Sequence, residues 1–149
     1  MLLILDIAGQ GLQEAPSHTD PLPPDQGVLI LPNDGDPSVL VAGQTLESIG
    51  RIELQFPRFT DGRAFSQAFL LRRRLRFKGD IRAIGDVLVD QLLQMKRSGF
   101  SSAVLRADQD LQVARRQLAR FAEAGGFYQG DAMVVLPRFQ GANLPEDAA

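Results

Sequence analysis

From Gly27 onward the chain repeats one pattern: a short apolar run, a turn signal, then a stretch whose apolar side chains recur at helical spacing. No other feature constrains the fold as strongly, because parallel strands cannot be joined by tight turns and a helix is the usual crossover between them. The first run is Val28-Leu29-Ile30-Leu31, stopped by Pro32-Asn33-Asp34-Gly35, and its continuity predicts a strand buried on both faces. A weak helical piece over 44–49 precedes Arg51 to Phe56, which alternates apolar and polar and predicts a second strand. Thr60-Asp61 then offers a helix N-cap ahead of Phe65, Ala68, Phe69, Arg72 and Leu75, a helix predicted to run through Arg76 and stop at Gly79. Ile81 to Gly85 predicts the third strand. Asp86 is expected to cap a helix with Leu88, Gln91, Leu92 and Met95 on one face and Gly99 at its end. Ala103 to Arg106 is the fourth strand, and Asp108 is expected to open a helix to Ala124 with Leu111, Ala114, Leu118 and Phe121 inward, stopped by Gly125-Gly126. Met133 to Leu136 reads as an edge strand.

The expected fold is therefore a small single α/β domain with a mainly parallel sheet, the alternative being half of a (β/α)₈ barrel. Residues 1–26 read as an N-terminal strand and a Pro-rich loop, with Gly9 to Asp25 a linker and not an element; 27–139 form the α/β domain and 140–149 a flexible tail. The apolar start, Met1 to Ile7, is too short and lacks the basic flank of a signal peptide or membrane span, so no membrane role and a cytoplasmic setting are expected.

Composition removes several kinds of chemistry. With no Cys and one His, the chain offers no thiolate nucleophile, no disulfide and no cysteine-ligated cluster. His18 stands in the Pro-rich stretch, a poor position for a metal ligand or a catalytic triad, so neither a metal nor a cofactor is expected. The net charge of −2 hides a polarised distribution: residues 1–57 carry −7, residues 58–97 carry +6 and the remainder −1. Fourteen of the sixteen bases are Arg, which favours paired contact with carboxylates or oxyanions. Internal pairing of an acidic front with a basic middle accounts for the same pattern.

Ligands in parallel sheets gather at the carboxyl ends of the strands, which here lead into Asn33-Asp34, the Arg58-Phe59-Thr60-Asp61-Gly62-Arg63 stretch, Gly85-Asp86 and Arg106-Ala107-Asp108. The candidate anion- or partner-binding residues are Arg58, Thr60, Asp61, Arg63, Arg72, Arg82, Asp86, Asp90 and Arg106. For Asp61, Asp86 and Asp108 helix capping, common for Asp at such positions, is the favoured reading and needs no ligand. Arg72-Arg73-Arg74 turn about 100° apart around a helix and mostly form a solvated face. An acidic pI of about 5.3, with Phe65 and Phe69 on the expected core side, argues against a nucleic-acid groove; a protein partner with an acidic patch fits an exposed Arg face better.

The stretch from Phe56 through Ala68, with Leu71-Arg72, Phe77-Lys78-Gly79, Ile81 to Leu88, Asp90-Gln91-Leu92 and Arg97 to Phe100, closely resembles a bacterial family catalogued as domain of unknown function 934. Members of that family often have Lys and Gly at the positions of Arg58 and Ala64, and Cys at that of Ser98. The resemblance implies a link to sulfite reduction, since members are typically encoded beside sulfite reductase and other sulfate-assimilation genes. A chain without cysteine cannot ligate the reductase's iron–sulfur cluster, so the catalytic subunit is excluded while the question of any other catalysis stays open. The expected function is an accessory protein docking to sulfite reductase or its electron-transfer partner through the Arg-rich segment. The rival is an enzyme or sensor binding a small oxyanion, sulfite, sulfate or a phospho-ligand, at the strand ends through Arg58, Arg63 and Arg106.

Overall fold

The computed structural model describes residues 2–4, 13–15, 22–43 and 45–123. Four apolar runs form the predicted parallel strands, β3 (Gly27–Leu31), β4 (Ile49–Phe56), β5 (Asp80–Gly85) and β6 (Ser102–Val104). Two short strands, β1 (Leu2–Ile4) and β2 (Gln13–Ala15), extend the sheet antiparallel beyond β6, giving the order β2-β1-β6-β5-β4-β3. The linker expected over Gly9 to Asp25 thus contains a strand, Gln13–Ala15. The stop at Gly125-Gly126, the edge strand over 133–136 and the tail from 140 lie outside the described residues, as does the side chain of Phe121.

The parallel strands neighbour one another in chain order. Crossovers of the usual hand then place every helix on one side of the sheet. Accordingly α1 (Pro37–Leu40), α2 (Arg63–Arg73), α3 (Leu92–Ser98) and α4 (Leu111–Glu123) pack side by side, each on the next. The consecutive order is the one a (β/α) half-barrel uses, here in a sheet prolonged by antiparallel strands. Short 3₁₀ turns occupy Leu46–Ser48, where a helical piece was expected, and Val89–Gln91, ahead of α3.

The core lies between this helical layer and one face of the sheet. Leu31, Ile52, Leu54, Phe56, Ile81, Ala83 and Ala103 alternate onto that face and are buried. Phe56, Phe65 and Phe100 meet with ring centroids 5.2 to 6.2 Å apart, Phe65 edge-on to both others as aromatic quadrupoles favour and Phe56 tilted against Phe100. Placing the helices on one face corrects the expectation for β3, the edge strand: Val28 and Ile30 point away from the helices and are about half exposed. It also explains why β4 alternates. Arg51, Glu53 and Gln55 share the face opposite the helices with Arg82 and Ser102.

The helices differ from their predicted outlines in ways that bear on function. On α2 the buried face is Ala64, Gln67, Ala68, Leu71 and Arg72, whose small residues let the helix sit close to the sheet. Phe69, expected inward, is exposed, with the Arg73 guanidinium 5.7 Å from its ring centre. The helix ends at Arg73, six residues before Gly79. Gly99 terminates α3 as expected, with φ +112°, a conformation open to glycine.

Candidate functional site

The strand-finish end of the sheet is a belt in which each loop is tied to the next. After β3, Asn33 donates its amide to Asp61 at 2.5 Å, and buried Gln67 donates to the carbonyls of Pro32 and Gly35, both at 2.8 Å. After β4, the Phe59 N–H donates to Asp86 at 2.9 Å and the Phe59 carbonyl accepts from Gln91 at 2.6 Å. After β5, Asp86 accepts from Arg106 at 2.7 Å and the Val89 N–H donates to Gln109 at 2.9 Å. Gly85 makes the middle link possible: with φ +99°, its missing Cβ leaves room for the Phe56 carbonyl, which accepts the Asp86 N–H at 2.8 Å.

None of the three aspartates expected as caps holds an N-cap position. Gly62 precedes α2 without a side-chain cap bond, and Asp61 reaches the Arg63 N–H from one residue earlier, at 3.2 Å. Asp86 is separated from α3 by the 3₁₀ turn. In α4 the capping carboxylate is Asp110, which accepts the Gln112 N–H at 2.7 Å, while Asp108 pairs with Arg106.

Two of the candidate arginines are therefore occupied at this end. Arg63 grips Asp61 with Nε and Nη2 at 3.0 and 2.7 Å; Arg106 grips Asp108 at 2.6 and 2.7 Å and reaches Asp86 with its other Nη. The side-chain bond from Arg63 holds Asp61 at a pKa of about 2, and the bonds from Arg106 hold Asp108 at about 2. Asp86 is lowered first by the Phe59 N–H and then by Arg106. Both guanidiniums are correspondingly raised, Arg63 by Asp61 and Arg106 by Asp108 and then Asp86. An oxyanion entering here would have to displace carboxylates from the donors it needs. Arg58 is exposed at the same end, next to a half-exposed Phe59 ring and Thr60, and Asp90 accepts a bond from Gln117 of α4 at 3.2 Å.

The other two candidates, Arg72 and Arg82, lie at the opposite end, where the strands begin. Arg72 projects from the last turn of α2 into the protein, 7% exposed, and donates to the carbonyls of Gly99, Phe77 and Gly79 at 2.8, 2.9 and 2.7 Å. Burial pushes its guanidinium down to about 10, against the pull of Asp80, so it stays charged at neutral pH. Arg82, 2% exposed, donates to Ser102 at 2.9 Å and pairs with Asp80 at 3.1 Å. Asp80 also accepts from Arg51 at 3.0 Å and from the Ser101 and Ser102 hydroxyls at 2.5 and 2.7 Å. These contacts join the end of α2, the turn before β5, the end of α3 and the start of β6.

Beyond this buried cluster the strand-start end carries a ridge. In the turn after α2, Arg74, Arg76 and Lys78 are exposed, whereas Leu75 is half-buried and Phe77 buried. Lys96, half-buried, stands in the last turn of α3. Among the described residues, Arg58, Arg74, Arg76, Lys78 and Lys96 make no side-chain hydrogen bond or ion pair. No group of three or more His, Asp or Glu side chains suited to a metal occurs among the described residues, and no helix there is long and apolar enough to cross a membrane.

Residues 28–139 match the family described as bacterial protein of unknown function, DUF934. No curated protein and no solved structure matches the chain.

Proposed function

Because the chain belongs to the DUF934 family, for which sequence resemblance supplies a sulfite-reduction setting, we propose that it is an accessory protein of assimilatory sulfite reduction. It docks to the reductase or to its electron donor through the basic ridge after α2. The observation that carries this reading is the distribution of unused charge: of the ten bases between 58 and 97, Arg74, Arg76 and Lys78 are the exposed run without internal partners among the described residues. Arg63, Arg72 and Arg82 already have partners. Protein interfaces use exposed Arg for contact with acidic patches, where complementarity governs association rate and partner choice.

The test is binding of the purified chain to the cognate sulfite reductase and, separately, to its electron donor at low salt. Binding that weakens as salt rises, and is lost when Arg74, Arg76 and Lys78 are all replaced by Ser, supports docking. Absence of binding to both partners at low salt rejects it. The oxyanion reading is tested by thermal shift: millimolar sulfite, sulfate or phosphate should raise the melting temperature through linkage. The occupied state of Arg63 and Arg106 favours docking, which predicts no such rise.

A further inference from the structure

Arg76 is, among the described residues, the one non-glycine residue with a left-handed backbone, at φ +58°. For an L-residue this conformation crowds Cβ against the following carbonyl oxygen, a strain glycine does not have. The surrounding turn imposes it from both sides. The Leu75 N–H closes on the Leu70 carbonyl at 3.1 Å and the Phe77 N–H on the Leu71 carbonyl at 2.9 Å. The Phe77 ring is buried, with the Arg72 guanidinium 5.8 Å from its centre, while the same guanidinium holds the Phe77 and Gly79 carbonyls. The backbone of residue 76 is thus fixed by its neighbours, and its own side chain takes no part: it is exposed and makes no hydrogen bond or ion pair among the described residues. Nothing within the described fold calls for a long cation here, and glycine would make the same turn with less strain.

We propose that Arg76, which stands between Arg74 and Lys78 in the turn, is the specificity-determining contact of the docking ridge, its exposed guanidinium pairing with a carboxylate on an acidic protein surface. This rests on the docking reading of the same ridge. A guanidinium offers a carboxylate two parallel donors, which an ammonium cannot reproduce. The fixed turn sets the direction in which the side chain leaves the backbone before the partner arrives, so no backbone freedom has to be lost there on association. Arg74, Arg76 and Lys78, with no acid between them, give the ridge a local positive charge that complements a carboxylate patch, while a chain of pI about 5.3 lacks the extended basic footprint of a nucleic-acid surface.

The experiment compares the full chain with its Arg76→Gly and Arg76→Lys variants by thermal melting and by affinity for the sulfite reductase or donor at low salt. Arg76→Gly should melt about 2–4 °C higher, from relief of backbone strain, and yet bind about tenfold more weakly. Arg76→Lys keeps the strain and the charge, so it should melt as the parent does and bind with intermediate affinity. Parent-like affinity in Arg76→Gly overturns the proposal, as does a lower melting temperature, which would make Arg76 a structural residue. If the parent binds neither reductase nor donor, the docking reading falls, and the Arg76 assignment is decided by retention on immobilised poly-L-glutamate. Retention of the parent but not of Arg76→Gly sustains it, and equal retention rejects it. Preference of the parent for single-stranded DNA or phosphatidylglycerol vesicles over poly-L-glutamate also rejects it.

Discussion

The two ends of the parallel sheet use the same residue types, Arg and Asp, in opposite settings. Where the strands begin, Arg72, Arg82 and Asp80 are drawn into the protein and bonded to backbone carbonyls and serine hydroxyls of the turn after α2, the end of α3 and the start of β6. Where the strands finish, Arg63 and Arg106 lie over the surface and hold carboxylates within reach of water. A buried guanidinium that loses its acceptors, or leaves them empty, imposes a desolvation cost, whereas a surface pair exchanges its partner for water at little cost. The first end therefore fixes the fold and the second fixes loop positions. The ridge after α2, on the outer side of the first end, carries Arg74, Arg76 and Lys78 without such internal duties among the described residues.

Replacing Arg72 by Ala should break this contrast most severely. Three carbonyls, of Phe77, Gly79 and Gly99, would lose a charged donor in a buried site, a loss of about 3–5 kcal/mol. Urea unfolding would measure it. Arg72→Lys should recover only part, because one ammonium cannot reach the separate acceptors that Nε and Nη1 hold at different edges of the planar guanidinium. Asp80→Ala comes next, at about 2–4 kcal/mol, since Arg51, Arg82, Ser101 and Ser102 all donate to that carboxylate. A loss below about 1 kcal/mol in either variant would mean that the strand-start cluster does not hold the elements together.

The strand and helix order was legible because burial imposes period on sequence, and the four parallel strands answer to four apolar runs. Arg72 was legible in part. Its place among Phe65, Ala68 and Leu75 at helical spacing put a charge on the core stripe, and a charge there must find acceptors. What spacing could not convey was that its acceptors are backbone carbonyls 5 to 27 residues away. The strand-end aspartates misled for a related reason. An Asp before a helix has the same sequence signature whether it caps that helix or reaches across to the next loop, and Asp61, Asp86 and Asp108 all bond across or beside their loops while Asp110 does the capping. The exposure of Val28 and Ile30 goes with their place on the edge strand, on the face away from the helices, a property of strand order that an apolar run does not encode.

At the strand-finish end effects should be smaller and local. Arg106→Ala removes one of the ties between the loops after β5 and β6 and leaves the Val89–Gln109 bond, and water replaces the exposed pair. The melting temperature should change by less than about 2 °C, while amide exchange at Phe59, whose N–H is held by Asp86, should quicken. A large drop in melting temperature with unchanged exchange at Phe59 would assign Arg106 a role in the global fold and erase the difference between the two ends.

The smallest expected effect is on acid stability, and its sign follows from the same pairs. Asp61 and Asp108 sit at about 2 in the folded protein against an ordinary 3.8, and Asp86 is lowered as well. Below its ordinary value each carboxylate takes up a proton more readily in the unfolded chain than in the folded one. Their contribution is therefore complete above about pH 4 and drains away as pH falls toward 2. Because these groups face water, added salt should shrink the drop. Carboxyl-resolved NMR titration gives the residue-level check: Asp61 should titrate near 2 in the parent and move back toward 3.8 in Arg63→Ala. An Asp61 midpoint that ignores Arg63→Ala would leave Asn33 and the Arg63 N–H as its holders. The strand-finish belt would then be maintained by neutral donors, and its arginines would be available to a ligand after all.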